Sequence, residues 1–355
     1  MSDVIQPHVI IALGRTTSIT CIMINVKSIL LPVMLLLTSM AACCADFSFG
    51  LWGDMPYERN NDARRTLAVI DSINASDVAF SIFDGDFKDG SSACHDALYA
   101  QILNTFNAMS HPLIYVPGDN EWTDCHRINN GGFNPLERLS LIRRTFFSAA
   151  ESLGMIKIPL TQQGKVGEKF SENTRFLYRG VMFVGLNVPG SNNNLVSNFR
   201  ECTLQSVRTQ ADCDAANNEH IERNEANIQW LKAAFESAKA TSARGVVVTI
   251  QGNPGFDLPE TWPLDESQLP QYAGYRQWMQ TLVEQTEGYA GQVLLVHGDD
   301  HFFKVDKPLY SPIKMLKNFT RLQTFGSPSN HWVKVTVDTT TQQVFTIQPI
   351  IIQGN

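Results

Sequence analysis

Five apolar runs in this chain end on a polar turn with a glycine beside it, and this repetition constrains the fold more than any other feature. Residues 47–53 (FSFGLWG) lead to Asp54, and 78–83 (VAFSIF) lead to Asp84-Gly85-Asp86. Residues 113–118 (LIYVPG) lead to Asp119-Asn120-Glu121, and 245–250 (GVVVTI) lead to Gln251-Gly252-Asn253. The last run, 292–298 (QVLLVHG), leads to Asp299-Asp300-His301. Short apolar runs rich in β-branched and aromatic residues read as strands. Helical patterns occupy 58–74, 94–109, 135–152, 220–240 and 271–287, with Asn134 placed to cap the third. Strands alternating with helices define an α/β architecture. Two further strand pairs are expected, 175–178 with 181–187 and 322–325 with 331–337. The Asn-rich stretch 190–218 reads as a polar surface insertion.

In sheets with helical crossovers, ligands sit outside the carboxyl ends of the strands. Those ends here carry Asp54, Asp86, Asp119, Asn120, Gln251, Asp299 and His301. Carboxylates crowded into one crevice raise each other's pKa unless a cation compensates them. Oxygen ligands with one imidazole suit Mg²⁺, Mn²⁺ or Ca²⁺ better than a thiolate-seeking ion. Two such ions sharing one Asp would clamp both oxygens of a phosphate-ester displacement. Each acid taken alone also reads as a turn former or helix cap. It is the set of strand ends that favours a site.

The ordered segments Trp52-Gly53-Asp54-Met55-Pro56-Tyr57, Asp84-Gly85-Asp86-Phe87-Lys88-Asp89-Gly90, Val116-Pro117-Gly118-Asp119-Asn120-Glu121-Trp122 and Val296-His297-Gly298-Asp299-Asp300-His301 resemble the calcineurin-like metallophosphoesterase family. The resemblance spans residues 47–308. It implies a four-layer α/β/β/α sandwich and two divalent metal ions, Mn or Mg favoured, with Ca, Fe or Zn as alternatives. Carried over by position, it implies Asp54 as a metal ligand, Asp86 as the bridging carboxylate and His301 as a metal-binding histidine. Asp119 falls where the family has its ligating Asn, and Asn120 where it has its catalytic His. A one-residue shift would make Asn120 the ligand, so both are candidates. The departures are Pro56 for the His of the first motif, Gln251 for a lone His and Asp299 for the first His of the last motif. Oxygen from Gln251 and Asp299 would still ligate.

The missing histidine removes the obvious general acid. His95 and His126 are candidate replacements, each beside a cysteine in a motif loop. His297 reads as a core residue, and His111 and His220 as surface positions. Lys88 and Arg127 are candidate phosphate-binding cations. Trp52, Tyr57, Trp122 and Phe302 flank the motifs as pocket or sheet-edge aromatics.

The apolar run 29–37 (ILLPVMLLL), preceded by Lys27 and followed by small residues to Ala45, has the form of a secretory signal. Residues 1–45 are therefore read as a leader, with Met23 an alternative start. Residues 46–355 are read as one domain. The run is short for a membrane span, though an N-terminal anchor is an alternative. Met40-Ala41-Ala42-Cys43 resembles a lipoprotein box, which offers lipidation as another. Export to the periplasm or medium is expected, with membrane contact only through the leader or a lipid. Of seven cysteines, Cys94, Cys125, Cys202 and Cys213 lie beyond the leader. Three disulfide connectivities are open to them. Cys94–Cys125 would join two motif loops, and Cys202–Cys213 would close a short loop. A net charge of −7 gives no basic stripe for nucleic acid. The expected partner is a small phosphate ester. Two functions follow: an exported metal-dependent phosphoesterase, or a catalytically degenerate member of the same fold that binds a metal or ligand.

Overall fold

The strand ends expected from sequence fall on two sheets, as the four-layer sandwich implies. A computed structural model describes residues 46–256, 266–311 and 314–355. The leader 1–45, with its signal, anchor and lipidation alternatives, lies outside the described residues. In chain order the strands are β1 (Phe47–Trp52), β2 (Phe80–Phe83), β3 (Leu113–Tyr115), β4 (Thr161–Gln162), β5 (Thr174–Tyr178), β6 (Val181–Gly185), β7 (Gly245–Thr249) and β8 (Gln292–His297). They continue with β9 (Lys304–Asp306), β10 (Tyr310–Ser311), β11 (Lys314–Met315), β12 (Phe319–Gln323), β13 (Trp332–Asp338) and β14 (Val344–Ile350). The longer helices are α1 (Ala63–Asn74), α2 (Asp96–Asn107), α3 (Pro135–Phe146), α4 (Phe199–Thr203), α5 (Gln210–Ala240) and α6 (Arg276–Glu287).

One sheet has the order β14-β13-β1-β2-β3, the other β4-β5-β6-β7-β8-β12-β9, and β10 pairs with β11 as a separate ribbon. Strands β1, β2 and β3 are mutually parallel, as are β6, β7, β8 and β12. Parallel strands covered on both faces need apolar side chains on both, and β7 shows it residue by residue. Val247 joins Phe49, Phe80, Phe183 and Leu294 between the sheets. Its neighbours Val246 and Val248 face Leu231, Phe235 and Trp278 of α5 and α6. On the other side, Val69, Ile73, Ile102, Phe106 and Ile142 of α1–α3 pack on Trp52, Phe83 and Tyr115. The layers are therefore α/β/β/α.

Local signals account for most boundaries. Asn134 accepts hydrogen bonds from the amides of Leu136 (2.9 Å) and Glu137 (3.2 Å), capping α3 before Pro135. Such a cap contributes about 1 kcal/mol. Helix α5 begins at Gln210, so the stretch read as a polar insertion is helical over its last third. Its start is set by Thr209 and Asp212, each accepting from the other's amide (3.3 and 2.8 Å). That earlier start corrects the surface reading of His220. It is buried on the inner face of α5, with Nδ1 2.8 Å from the carbonyl of Asn193.

The expected pairing of 322–325 with 331–337 is also corrected. Strand β12 pairs with β8 and β9, whereas β13 pairs with β1 and β14 in the other sheet. The linking segment carries the chain from sheet to sheet, and a Cβ on Gly326 would lie 2.6 Å from Asp54 Cβ and 2.7 Å from His301 Cγ. Both disulfides, Cys94–Cys125 and Cys202–Cys213, are formed.

Candidate functional site

Asp54, Asp86, Asp299 and His301 all hold the left-handed backbone conformation, with φ of 50°, 59°, 78° and 63°. For side-chain-bearing residues such conformations cost about 1–3 kcal/mol each and cluster where function requires them. The glycines beside the acids make room for an acid on another strand end. A Cβ on Gly118 would stand 2.1 Å from Asp86 Oδ1, and one on Gly298 2.2 Å from Asp54 Oδ2. The ends of β1, β2 and β3 thereby meet those of β7 and β8.

The site has two halves. In the first, the Tyr57 hydroxyl stands among ligand-type atoms. It donates to Asp86 Oδ2 (3.2 Å), lies 3.5 Å from Asp54 Oδ1 and 3.1 Å from His301 Nε2, and accepts from Asn120 Nδ2 (3.2 Å). Asn120 Nδ2 also donates to Asp86 Oδ2 at 2.6 Å. His301 Nδ1 is 2.6 Å from the Ser327 carbonyl, which has no proton of its own, so Nδ1 carries the hydrogen. Nε2 is thus aimed at Asp54 Oδ1 (3.4 Å). Burial opposes charging this imidazole, but the Asp54 carboxylate and the Ser327 carbonyl outweigh it and raise its pKa to about 9.

In the second half, Gln251 Nε2 is 3.4 Å from both Asp119 Oδ1 and Asp299 Oδ1. Its orientation is fixed from behind, because Gln251 Oε1 accepts the Gly190 amide at 2.6 Å. Asp299 Oδ2 accepts the Asn253 amide (3.0 Å). Ser191 Oγ lies 2.7 Å from Asp119 Oδ2 and 2.8 Å from Asp124 Oδ1. One hydroxyl cannot donate to two carboxylates, so one of the pair brings a proton. Burial and the Asp119 charge raise Asp124 to about 7, and its ion pair with Arg127 works against that rise.

Burial, then the charges of Asp119 and Glu121, push the Asp86 carboxyl well above its usual range. Burial and Asp119 do the same to Asp299, and burial and Asp54 to Asp84. Glu121 supports Asp86 from beneath. It accepts the amides of Gly118 (2.7 Å) and Asp86 (3.1 Å) and the Tyr115 hydroxyl (2.9 Å).

Not every residue singled out from sequence joins this network. Lys88 is 2% exposed, and its ammonium donates to the carbonyls of Asp89 (2.7 Å) and Asn120 (2.8 Å). It braces two loops from inside, which corrects its reading as a substrate contact. His95 precedes α2, and its ring packs edge-on against Phe133 (5.6 Å), away from the carboxylates. His126 is buried beside the Asp119 loop and does not bond to the carboxylates of either half. Burial, Arg208 and Arg127 lower its pKa to about 3. Arg127 is half-exposed, pairs with Asp124 at 2.6 Å and lies 3.4 Å from Ser191 Oγ, at the rim of the second half. Trp52 and Trp122 are core residues, and Phe302 is exposed. His297 is fully buried, as expected. Sequence reasoning missed the central place of Tyr57, the support from Glu121, and Ser191. Pro56, standing where a ligand was expected, was the available signal for Tyr57: the replacement sits one residue on.

Among the described residues, no three His, Cys, Asp or Glu side chains already stand in ion-holding geometry. The two halves differ in how they fit a cation. In the first, Asp54, Asp86 and His301 each approach the Tyr57 hydroxyl rather than one another, and the Ser327 carbonyl orients His301 as a carbonyl orients a metal-binding imidazole. Donors of this kind would take a hard or borderline divalent ion, but the Tyr57 hydroxyl occupies the position between them. In the second, Gln251 turns N–H groups, not its oxygen, toward Asp119 and Asp299. That half is closed by the chain's own donors.

No protein-family model and no curated protein matches the sequence. Solved structures do. GAP50, the anchor in the inner membrane complex of Plasmodium, has 13% identity over 87% of this chain and 90% of its own, with a TM-score of 0.43. PhoD has 11% identity over 86% of this chain and 68% of its own, with a TM-score of 0.49. The 5'-nucleotidase from Candida albicans has 11% identity over 85% of this chain and 50% of its own, with a TM-score of 0.38. All three are metallophosphoesterase-fold proteins. These likenesses concern the fold alone, and the layers described above rest on the packing of this chain.

Proposed function

We propose that the chain is an exported phosphate-ester hydrolase whose centre lies in the first half of the site, with Asp54, Asp86 and His301 holding a divalent cation. The observation that carries this reading is the His301 arrangement. Nδ1–H is tied to a carbonyl, and Nε2 is presented to the buried Asp54 carboxylate, with the Tyr57 hydroxyl between it and Asp86. Buried carboxylates in this number need a cation or protons. When bound, the ion would supply Lewis acidity and lower the pKa of water. The chain's own residues supply the rest. Glu121 and Lys88 fix the loops that carry Asp86 and Asn120. The Asn120 amide and the Tyr57 hydroxyl orient the Asp86 carboxylate. Arg127, at the rim of the second half, is the candidate cation for a phosphate oxygen. The disulfides accord with an oxidising compartment, which supports export. Among the described residues no helix is long and apolar enough to cross a membrane.

A second reading is a non-hydrolytic ligand binder. The closed second half favours it, since a two-ion clamp would need that half open. Metal analysis of protein purified without chelator, together with p-nitrophenyl phosphate hydrolysis under Mn²⁺ or Mg²⁺, separates the two. The hydrolase reading expects about one bound ion and turnover, both lost in Asp86→Ala. Ligand binding without turnover across metals and esters decides for the binder.

A further inference from the structure

We propose that the cavity behind the Asp119 loop is an oxyanion site that receives a second anionic group of the substrate, a phosphate or carboxylate beyond the scissile phosphate. The word substrate here rests on the hydrolase reading; the anion site does not.

The cavity, about 320 Å³, lies between the Thr123–His126 turn and the segment 191–208. Its inner wall is bonded to Asp119, in the second half of the site. Ser191 Oγ is 2.7 Å from Asp119 Oδ2, and Thr123 Oγ1 and the Asp124 amide donate to the Asp119 carbonyl (3.1 and 3.0 Å). The lining also carries Arg208, next to Val207, whose amide donates to the His126 carbonyl at 3.2 Å. Arg208 Nε donates to the Cys202 carbonyl at 3.1 Å. Among the described residues neither of its Nη nitrogens has a hydrogen-bond partner. Cys202 is itself anchored by the disulfide to Cys213 at the start of α5, so the guanidinium is held by a braced wall.

Beside it, His126 is 7% exposed, and its Nδ1 is buried with no partner. A buried nitrogen without a partner is costly, and because Nδ1 lies beneath the lining, a ligand in the cavity would meet Nε2. Burial and the two nearby guanidinium groups keep this imidazole neutral, so one of its nitrogens carries a hydrogen to donate. The acids on the lining do not cancel this preference. Asp124 is already engaged by Arg127 at 2.6 Å and by Ser191, and Glu201 is exposed. What remains unsatisfied is a planar guanidinium fork and an imidazole, the combination that binds oxyanions.

The test titrates inorganic phosphate, and separately malonate, into the metal-free full chain by calorimetry, with Arg208→Gln, Arg208→Lys and His126→Gln beside wild type. Without metal the strand-end carboxylates repel anions, so binding reports the cavity. Arg208→Gln is expected to weaken binding about tenfold, the loss of one charged hydrogen-bond pair, and Arg208→Lys to keep most of it. His126→Gln carries the test if Arg208→Gln does not fold. Phosphate stronger than malonate, or the reverse, tells which group the site prefers. Wild type binding neither anion, or both variants binding as wild type, overturns the site. With Mn²⁺ present, kcat/KM for a phosphorylated hydroxy acid relative to p-nitrophenyl phosphate should fall about tenfold in Arg208→Gln. An unchanged ratio despite lost anion binding overturns the substrate assignment. If neither ester is hydrolysed while anion binding still depends on Arg208, the hydrolase reading fails and the oxyanion site stands.

Discussion

The two halves of the site are built from the same material and solve the same problem differently. Both gather buried aspartates at strand ends, and both must neutralise them. The first half leaves an imidazole nitrogen pointing at Asp54 and puts a phenol oxygen at the point where Asp54, Asp86 and His301 converge. The second fills the space with an amide whose direction is locked by Gly190. A proton or a metal ion can satisfy the first arrangement. In the second, the Gln251 oxygen is already taken by the Gly190 amide. The difference teaches that acid density alone does not make a metal site; the direction of the neighbouring donors decides.

The comparison breaks most readily at Asp86. Asp86→Ala is expected to lower phosphoesterase turnover by about 10²–10³-fold, the scale of removing a central electrostatic group, and to abolish retained metal. Retention of metal in that variant would move the centre elsewhere.

His301 separates the halves by pH. In chelated protein its charged form is stabilised in the fold, with a pKa of about 9. A raised folded pKa gives stability that is complete below the unfolded value near 6.5 and lost as pH rises through about 9. Melting temperature should therefore fall between pH 7 and 9.5, by an amount equivalent to at most about 3 kcal/mol. Glutamine at 301 should flatten that slope, and a slope unaltered by the substitution would assign the titration to another group.

Gly118→Ala probes the interlock between strands. The added carbon would stand 2.1 Å from Asp86 Oδ1. Overpacking of this kind costs about 1–3 kcal/mol, read as a lower urea midpoint at unchanged m-value. The smallest effect is expected at Gln251→His, which replaces the closing amide by an imidazole. A second ion, held roughly 10–100-fold more weakly than the first for want of an orienting partner, should appear in metal titrations. Unchanged stoichiometry would mean that something besides Gln251 closes that half.

The sequence made the strand ends legible because apolar runs, glycines and acids are local signals. It also placed Asn134 at its cap and brought Asp54, Asp86, Asp119, Gln251, Asp299 and His301 into one region. Three features were hidden for physical reasons. The path from β12 to β13 leaves one sheet for the other, and no local pattern distinguishes that from a hairpin. The start of α5 lies in a polar stretch, where Thr209 and Asp212 form a box with Asp in place of the usual Glu or Gln. The inward turn of Lys88 and Tyr57 depends on which carbonyls and carboxylates surround them, and only tertiary structure supplies those.

The glycine interlock has a consequence for any survey of this protein by substitution. Asp54 and Asp86 each have their position recorded partly on another strand end, in the same sheet or the facing one, in a residue with no side chain to take part in chemistry. A scan scored by activity would rank Gly118 and Gly298 with the acids they make room for. Two-site changes across adjacent strand ends would be far from additive. Redesign of the centre must therefore treat an acid and its facing glycine as a single unit of inheritance.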